Sequence, residues 1–193
     1  MNIVTIIPAK GNSNRLKDKN IYELNGKPLL QWTLEAAKKS KYLDRIFVST
    51  ESSKVADITN KNGGIVIDRP KELTHDNIGK QEVIEHALSV IEDYDNEKVD
   101  VICLLQANSP QIKTEKIDEA IETILSGVVW DVISINKDTL FTDGAIRVFK
   151  RRVVDDCGVG MYKGIVLTDY VDVHYKQDVE EIEKVMRDES NNI

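Results

Sequence analysis

Apolar positions along this chain fall into two rhythms that alternate almost from end to end. Short, nearly continuous apolar runs, rich in β-branched residues, occupy residues 2–7, 45–50, 65–67, 99–105, 131–135 and 145–149. Runs of this length predict strands, and the unbroken stretch Val99–Leu105 predicts a strand covered on both faces, as in a parallel sheet. Between them, apolar residues recur three and four apart. Pro28–Lys39 carries Leu29, Leu30, Trp32, Ala36 and Ala37, with proline near its first turn, and predicts a helix. Ser52–Asn60 predicts a second, stopped by Asn62-Gly63-Gly64. Gly79–Ile91 aligns Val83, Ile84, Ala87, Leu88 and Ile91 on one face. Thr114–Leu125 does the same with Ile117, Ala120, Ile121 and Ile124, with Thr114 as its expected N-cap. Tyr170–Val173 is predicted as a last strand and Gln177–Met186 as a closing helix.

Strands alternating with helices predict an α/β fold whose mainly parallel sheet is joined by right-handed crossovers. Such sheets bind ligands at the carboxyl ends of their strands, here the loops 8–20, 50–53, 68–78, 106–113 and 136–144. The 193 residues suit a single domain, with no internal repeat or low-complexity stretch.

Composition narrows the choice of ligand. The chain is 41% hydrophobic and 31% charged, an ordinary globular balance, and its net charge of −7 argues against a nucleic-acid partner. A basic cluster within so acidic a chain points to a small anion. No apolar run nears the roughly 18 residues that cross a membrane, and no signal-peptide pattern follows Met1. Cys103 and Cys157 make neither a metal pair nor a disulfide framework. They are expected to be reduced thiols of a cytoplasmic protein, with Cys103 in the core.

The basic cluster is the loop Pro8–Asn20, with Lys10, Arg15, Lys17 and Lys19 around Gly11 and Ser13. A triphosphate needs cations and a backbone that can approach it. Gly11 is expected to give that approach, within a nest of amides. Lysines act as point charges, while Arg15 can fork two phosphate oxygens. The loop lacks the Gly-Lys-Ser/Thr ending of a Walker loop and the Gly-x-Gly-x-x-Gly dinucleotide fingerprint. Charge spacing alone leaves a solvated basic loop equally open.

Several ordered motifs change that balance. Ile6-Ile7-Pro8-Ala9-Lys10-Gly11-Asn12-Ser13, Lys19-Asn20-Ile21 and Leu24-Asn25-Gly26-Lys27-Pro28-Leu29 are followed by Trp32-Thr33-Leu34-Glu35-Ala36-Ala37 and Ile46-Phe47-Val48-Ser49-Thr50. Asp68-Arg69-Pro70 and Leu104-Leu105-Gln106-Ala107-Asn108-Ser109-Pro110 come next. Together they resemble the acylneuraminate cytidylyltransferases, the CMP-sialic acid synthetases, over roughly residues 3–135, resuming at Gly144-Ala145-Ile146 and near Asp172. The resemblance implies a nucleotide-diphospho-sugar transferase-like (Rossmann-like) three-layer sandwich. It implies CTP as substrate, Mg²⁺ as cofactor, attack of an acidic sugar's anomeric hydroxyl on the α-phosphorus, and release of pyrophosphate. Such catalysis is mainly positioning and charge stabilisation.

Carried over residue by residue, Lys10 stands where the family has arginine, keeping the charge and losing the fork. Lys19 and Asn20 match a Lys-Asn expected to contact phosphates and the ribose or base. Ser13 matches, and Arg15 is placed to offset the charge absent at Asn14. Arg69 matches an arginine that helps hold the nucleotide, and Gln106 a glutamine that contacts the sugar. Asn108 replaces a threonine in the same substrate stretch. Asp172 matches the first carboxylate of a metal-binding Asp-x-Asp whose second position is His174 here.

Imidazole is a poor Mg²⁺ ligand, so three expectations stand at the metal site: Asp172 working with phosphate oxygens and water, a shift toward Mn²⁺, or a weakened site. His86 is expected at a packing boundary, and His75 has no assigned role. The family's long excursion, which contacts the sugar and builds the homodimer, is reduced here to residues 136–144. A homodimer is therefore expected to be weaker, and Lys137 and Arg147 are the cations available to replace those of the excursion. Three functions follow: a compact CMP-sugar synthetase for a nonulosonic acid, a cytidylyltransferase for a smaller acceptor such as a polyol phosphate, or a noncatalytic nucleotide-binding homologue.

Overall fold

The computed structural model describes residues 1–156 and 162–191. In chain order its elements are β1 (Ile3–Pro8), the two-residue pair β2 (Glu23–Leu24) and β3 (Lys27–Pro28), α1 (Leu29–Lys38), β4 (Ile46–Thr50), α2 (Ser53–Lys61), β5 (Ile65–Asp68), α3 (Lys80–Asp95) and β6 (Val101–Leu105). There follow α4 (Thr114–Leu125), β7 (Asp131–Asn136), β8 (Thr142–Lys150), α5 (Arg151–Asp155), β9 (Lys163–Thr168) and α6 (Lys176–Asn191). Among the described residues the main sheet has seven strands in the order β5-β4-β1-β6-β8-β7-β9. Every pairing is parallel except those of β8, which runs antiparallel to both β6 and β7.

The two faces of the sheet carry separate apolar layers, which makes the predicted three-layer sandwich. On one face Leu30, Leu34, Ile117 and Ile121 of α1 and α4 pack on Ile7, Val48, Leu105 and Ile146. On the other, Ile84, Leu88 and Ile91 of α3 pack on Val4, Ile6, Ile102 and Phe149. This two-sided cover explains why β6 is an unbroken apolar run and why β4 and β6 are both buried along their whole length. A third, smaller cluster joins Leu16 of the basic loop, Leu24 and Leu29 to Val173, Val179 and Ile182. It seats α6 against that loop and fixes the segment that carries Asp172 and His174.

Three expectations are corrected. Tyr170–Val173 is not a strand; the last strand is β9, which buries Val166 and Thr168 and exposes Ile165 and Leu167 at the sheet edge. Thr114 is not the N-cap of α4. Lys113 holds that position, and the Thr114 hydroxyl instead donates to the Ala36 carbonyl at 2.8 Å, tying α4 to α1. Helix α3 continues past Ile91 to Asp95 because Glu92 on its inner face is neutralised by Arg151 and Lys98. Cys103 is buried as expected, while Cys157 lies outside the described residues. No described helix is long and apolar enough to cross a membrane.

Candidate active site

The carboxyl ends of β1 and β6 and the start of β8 open onto one cavity of about 770 Å³. It is lined by Lys10, Ser13, Arg15, Lys19 and Asn20 from the first loop, by Gln106 and Asn108 after β6, by Asp143 and Gly144 on β8, and by Asp172 and His174 before α6. A second cavity of about 260 Å³ adjoins it, where Arg69 sits with Leu73, His75, Ile78 and Val83. Every predicted site residue except Gly11 lines one cavity or the other.

The basic loop is shaped mainly by hydrogen bonds to its own backbone and to neighbouring acids. Asn20 is buried, and its amide donates to the Lys10 carbonyl at 2.8 Å, closing the loop on itself. Lys10 Nζ meets Asp76 Oδ1 at 2.6 Å and Asn14 Nδ2 meets Asp76 Oδ2 at 2.5 Å, so one carboxylate latches the loop to the segment after β5. The expected role of Gly11 changes. Its N–H donates to Glu51 Oε1 at 2.8 Å, so it is not part of an anion nest here. A Cβ at Gly11 would stand 2.5 Å from Ser52 Cβ, so glycine is required for contact with the 51–52 turn.

The charged ends of Lys19 and Asp172 face one another electrostatically across the larger cavity. Burial pushes the Lys19 ammonium below its usual range, the Asp172 carboxylate opposes that shift, and Arg15 and Lys80 add to it. The Lys19 ammonium has no hydrogen-bond or ion-pair partner among the described residues. Arg69 is also buried; Nε donates to Ser49 Oγ at 3.1 Å and Nη2 to the Ser49 carbonyl at 2.7 Å, which holds its planar end at the rim of the smaller cavity.

Asp172 is fixed from behind. Ser109 Oγ donates to its Oδ1, while Oδ2 has no hydrogen-bond partner among the described residues. Burial pushes the Asp172 pKa up, countered by the Ser109 hydrogen bond and by the charges of His174 and Lys80. Asn108 is 5% exposed and spends its amide on the Val173 carbonyl at 3.0 Å. Gln106 donates its backbone N–H to the Ala145 carbonyl at 3.1 Å, and its own carbonyl accepts from Thr33 Oγ1 at 3.0 Å. Gly144 has φ +71°, and a Cβ there would lie 3.0 Å from Gln106 Nε2, so glycine leaves room for the glutamine amide. Beside it, Asp143 accepts hydrogen bonds from the Ser134 and Thr168 hydroxyls and from the Ala145 amide, fixing the start of β8.

The donor set for a divalent metal is narrow. No three His, Cys, Asp or Glu side chains converge among the described residues. His174 Nδ1 lies 3.4 Å from Arg15 Nη1. A guanidinium has no lone pair to give, so Nδ1 accepts. Burial, then Lys19, lowers the His174 pKa. With His174 Nδ1 turned to Arg15, the oxygen left open to an ion is Asp172 Oδ2. Hard divalent ions such as Mg²⁺ are held by one or two carboxylates completed by water and phosphate oxygens, and the site fits an ion of that kind.

The acceptor side departs from expectation. Arg147 does not stand ready for a ligand carboxylate: Nε and Nη2 each donate at 2.9 Å to the fully buried Asp131, and its guanidinium stacks 4.8 Å over Phe149. Lys137 reaches Asp169 at 3.4 Å outside the cavity. Residues 137–141 form the tight turn between β7 and β8, where Asn136 Oδ1 accepts from the Asp138 and Thr139 amides. His86 lies at a packing boundary on α3, its pKa lowered by burial and by Arg69, with Nδ1 unpaired among the described residues. Lys80, Asp76 and Asp143 line the site outside the motifs read from the sequence, and Ser109, which lies within one, braces Asp172.

This is an α/β protein whose sheet presents, at its strand ends, a cation-lined cavity that holds the half-buried carboxylate of Asp172. Its sequence matches the family described as Cytidylyltransferase over residues 4–145. The chain belongs to the cytidylyltransferase family. It is 38% identical over 120 residues to an N-acylneuraminate cytidylyltransferase of Escherichia coli, covering 62% of this chain and 27% of that one. It is 29% identical over 126 residues to a pseudaminic acid cytidylyltransferase of Campylobacter jejuni, covering 65% and 54%. The chain thus spans about a quarter to a half of the length of these relatives. A CMP:2-keto-3-deoxy-manno-octonic acid synthetase structure, solved with CTP, superposes with a TM-score of 0.75 at 16% identity, covering 98% of this chain and 100% of that one. At that identity the likeness speaks for the fold.

Proposed function

We propose that the chain transfers CMP from CTP to an acidic sugar of the nonulosonic class, an N-acylneuraminate or a close analogue, with release of pyrophosphate. The observation that carries this reading is the pairing of Lys19 with Asp172 across one cavity. An ammonium that is partly desolvated and without a partner among the described residues, and a half-buried carboxylate with one open oxygen, suit a phosphate chain that arrives with its own cation. Relatives named for N-acylneuraminate and pseudaminic acid support the choice of acceptor.

In this scheme Lys10, Arg15 and Lys19 hold the β- and γ-phosphates and neutralise charge on the departing pyrophosphate. Arg69 and the apolar wall of the smaller cavity take the base. Gln106, kept in place by Gly144 and Ala145, donates to the acceptor and orients its hydroxyl toward the α-phosphorus. Mg²⁺, held by Asp172 together with phosphate oxygens, would supply Lewis-acid stabilisation of the phosphate charge. Ser109 and Asn108 keep Asp172 aimed. The protein is proposed to act in the cytoplasm, where CTP is available.

A smaller acceptor, such as a polyol phosphate, is a second reading. It is favoured by the engagement of Arg147 with Asp131 and of Lys137 with Asp169, which leaves fewer cations for a sugar carboxylate. A pyrophosphate-release assay with CTP, Mg²⁺ and a panel of acceptors separates the two. Turnover with nonulosonic acids is expected. Turnover with polyol phosphates alone replaces the first reading by the second, and CTP binding without turnover on any acceptor leaves a noncatalytic role.

A further inference from the structure

The two cavities share one wall, formed by Pro8, Lys10, Asp76 and Lys80. A nucleotide with its base beside Arg69 and its phosphate chain on the basic loop must cross that wall at the ribose and first phosphate. Two cations stand there among the described residues. Lys10 is committed to Asp76. Lys80 has no hydrogen-bond or ion-pair partner among the described residues, and its charged neighbours are Asp172, Arg147 and Lys19.

The ordinary explanation of such a lysine is a solvated helix-end residue, and Lys80 is indeed exposed. Two observations oppose that explanation. Lys80 opens α3, where the helix dipole disfavours a cation, so its position is unfavourable for the helix itself. It also lines both cavities, and its pKa is lowered by the protein around it, with Asp172 only partly offsetting that shift. A cation on the wall of two cavities, with no ion-pair partner among the described residues, is available to an anion that crosses that wall.

We propose that Lys80 contacts the α-phosphate of the bound nucleotide, the phosphate at which CMP transfer occurs. This assignment rests on the cytidine-nucleotide reading above. It makes Lys80 and Lys19 two walls of one anion site: Lys19 grips the phosphate chain from the loop, and Lys80 grips its first phosphate from α3.

The test compares titrations of cytidine, CMP and CTP, with Mg²⁺ present, into the wild-type chain and the Lys80→Met and Lys80→Arg variants. Methionine keeps an unbranched stem, and thermal melts check folding. Loss of one charge-assisted hydrogen bond is expected to weaken CMP and CTP about tenfold in Lys80→Met and to leave cytidine unchanged. Lys80→Arg is expected to remain within about threefold of wild type, since it keeps the charge. Equal weakening of cytidine would move Lys80 to the base or the fold and overturn the assignment. Weakening of CTP with CMP unchanged would move it to the outer phosphates, and unchanged nucleotides with a raised KM for the acceptor would move it to the acceptor carboxylate. A wild-type chain that binds none of the three ligands would sink the nucleotide reading itself and this assignment with it, an outcome distinct from a variant that matches the wild type.

Discussion

Asn108 and Val173 exchange two hydrogen bonds: the asparagine side-chain amide donates to the Val173 carbonyl, and the Val173 amide donates to the Asn108 carbonyl, each at 3.0 Å. They bind the turn after β6 to the segment carrying Asp172, one residue from the Ser109–Asp172 contact. Asn108→Ala removes the side-chain half of this clamp and leaves a buried carbonyl unsatisfied. A stability loss of about 1–3 kcal/mol is expected, read from denaturant melts. A fall in kcat of about tenfold or more is expected beside it, because the carboxylate is no longer aimed. Unchanged kcat in a folded Asn108→Ala chain would remove the positioning role.

Lys19 has the opposite balance. Its ammonium is desolvated and without a hydrogen-bond or ion-pair partner among the described residues, so the fold gains little from it. Lys19→Ala is expected to leave the unfolding free energy within about 0.5 kcal/mol of wild type and to weaken CTP binding by about tenfold or more. Calorimetric titration of CTP checks this, and undiminished affinity would remove Lys19 from the phosphate site.

Gly144 tests the acceptor wall. Alanine there meets both the positive φ and the Gln106 amide 3.0 Å from its Cβ. Left-handed backbone costs a non-glycine residue about 1–2 kcal/mol, and Gln106 must shift to make room. Steady-state kinetics of Gly144→Ala are expected to show a raised acceptor KM with the KM for CTP little changed. A change confined to CTP would place this wall on the nucleotide side.

Glu92 links stability to acid. It is largely buried on α3, where hydrogen bonds from Arg151, Lys98 and the Val99 amide outweigh its desolvation and lower its pKa to about 2. Because the folded value lies below the ordinary 4.5, its stabilisation is present in full above pH 4.5 and is lost as pH falls toward 2. That difference corresponds to about 3 kcal/mol. Denaturant melts between pH 6 and about 2 are expected to show this decline in the wild type and a flatter profile in Glu92→Gln. Parallel profiles would show that Glu92 carries no such linkage.

The elements with strong apolar periods were legible because burial imposes the period: α4 runs from Thr114 to Leu125 as predicted, β4 is a strand where one was read, and β6 is the fully buried run it reads as. The strand β9 was not, since it is an edge strand whose Ile165 and Leu167 face outward and mimic a loop with scattered apolar residues. Most of the basic loop was legible through its ordered motifs, yet Gly11 was given a ligand role when its constraint is contact with Ser52, a distance that no local pattern encodes. Lys80 was invisible because one lysine at a helix start looks solvated; the signal available was its position against the helix dipole. The Arg147–Asp131 pair was missed because it joins neighbouring strands through a register that only the folded sheet sets.

The antiparallel course of β8 has a consequence for how such a scaffold can change its acceptor. Because β8 starts at the rim where β6 ends, Gln106 and Gly144 are neighbours by sheet pairing and do not depend on the turn that precedes them. The turn over residues 137–141 opens at the same rim, with Leu140 and Phe141 standing in solvent. It behaves as an interchangeable lip: lengthening it would add walls above the acceptor, trimming it would bare the rim, and neither would unpair the strands beneath.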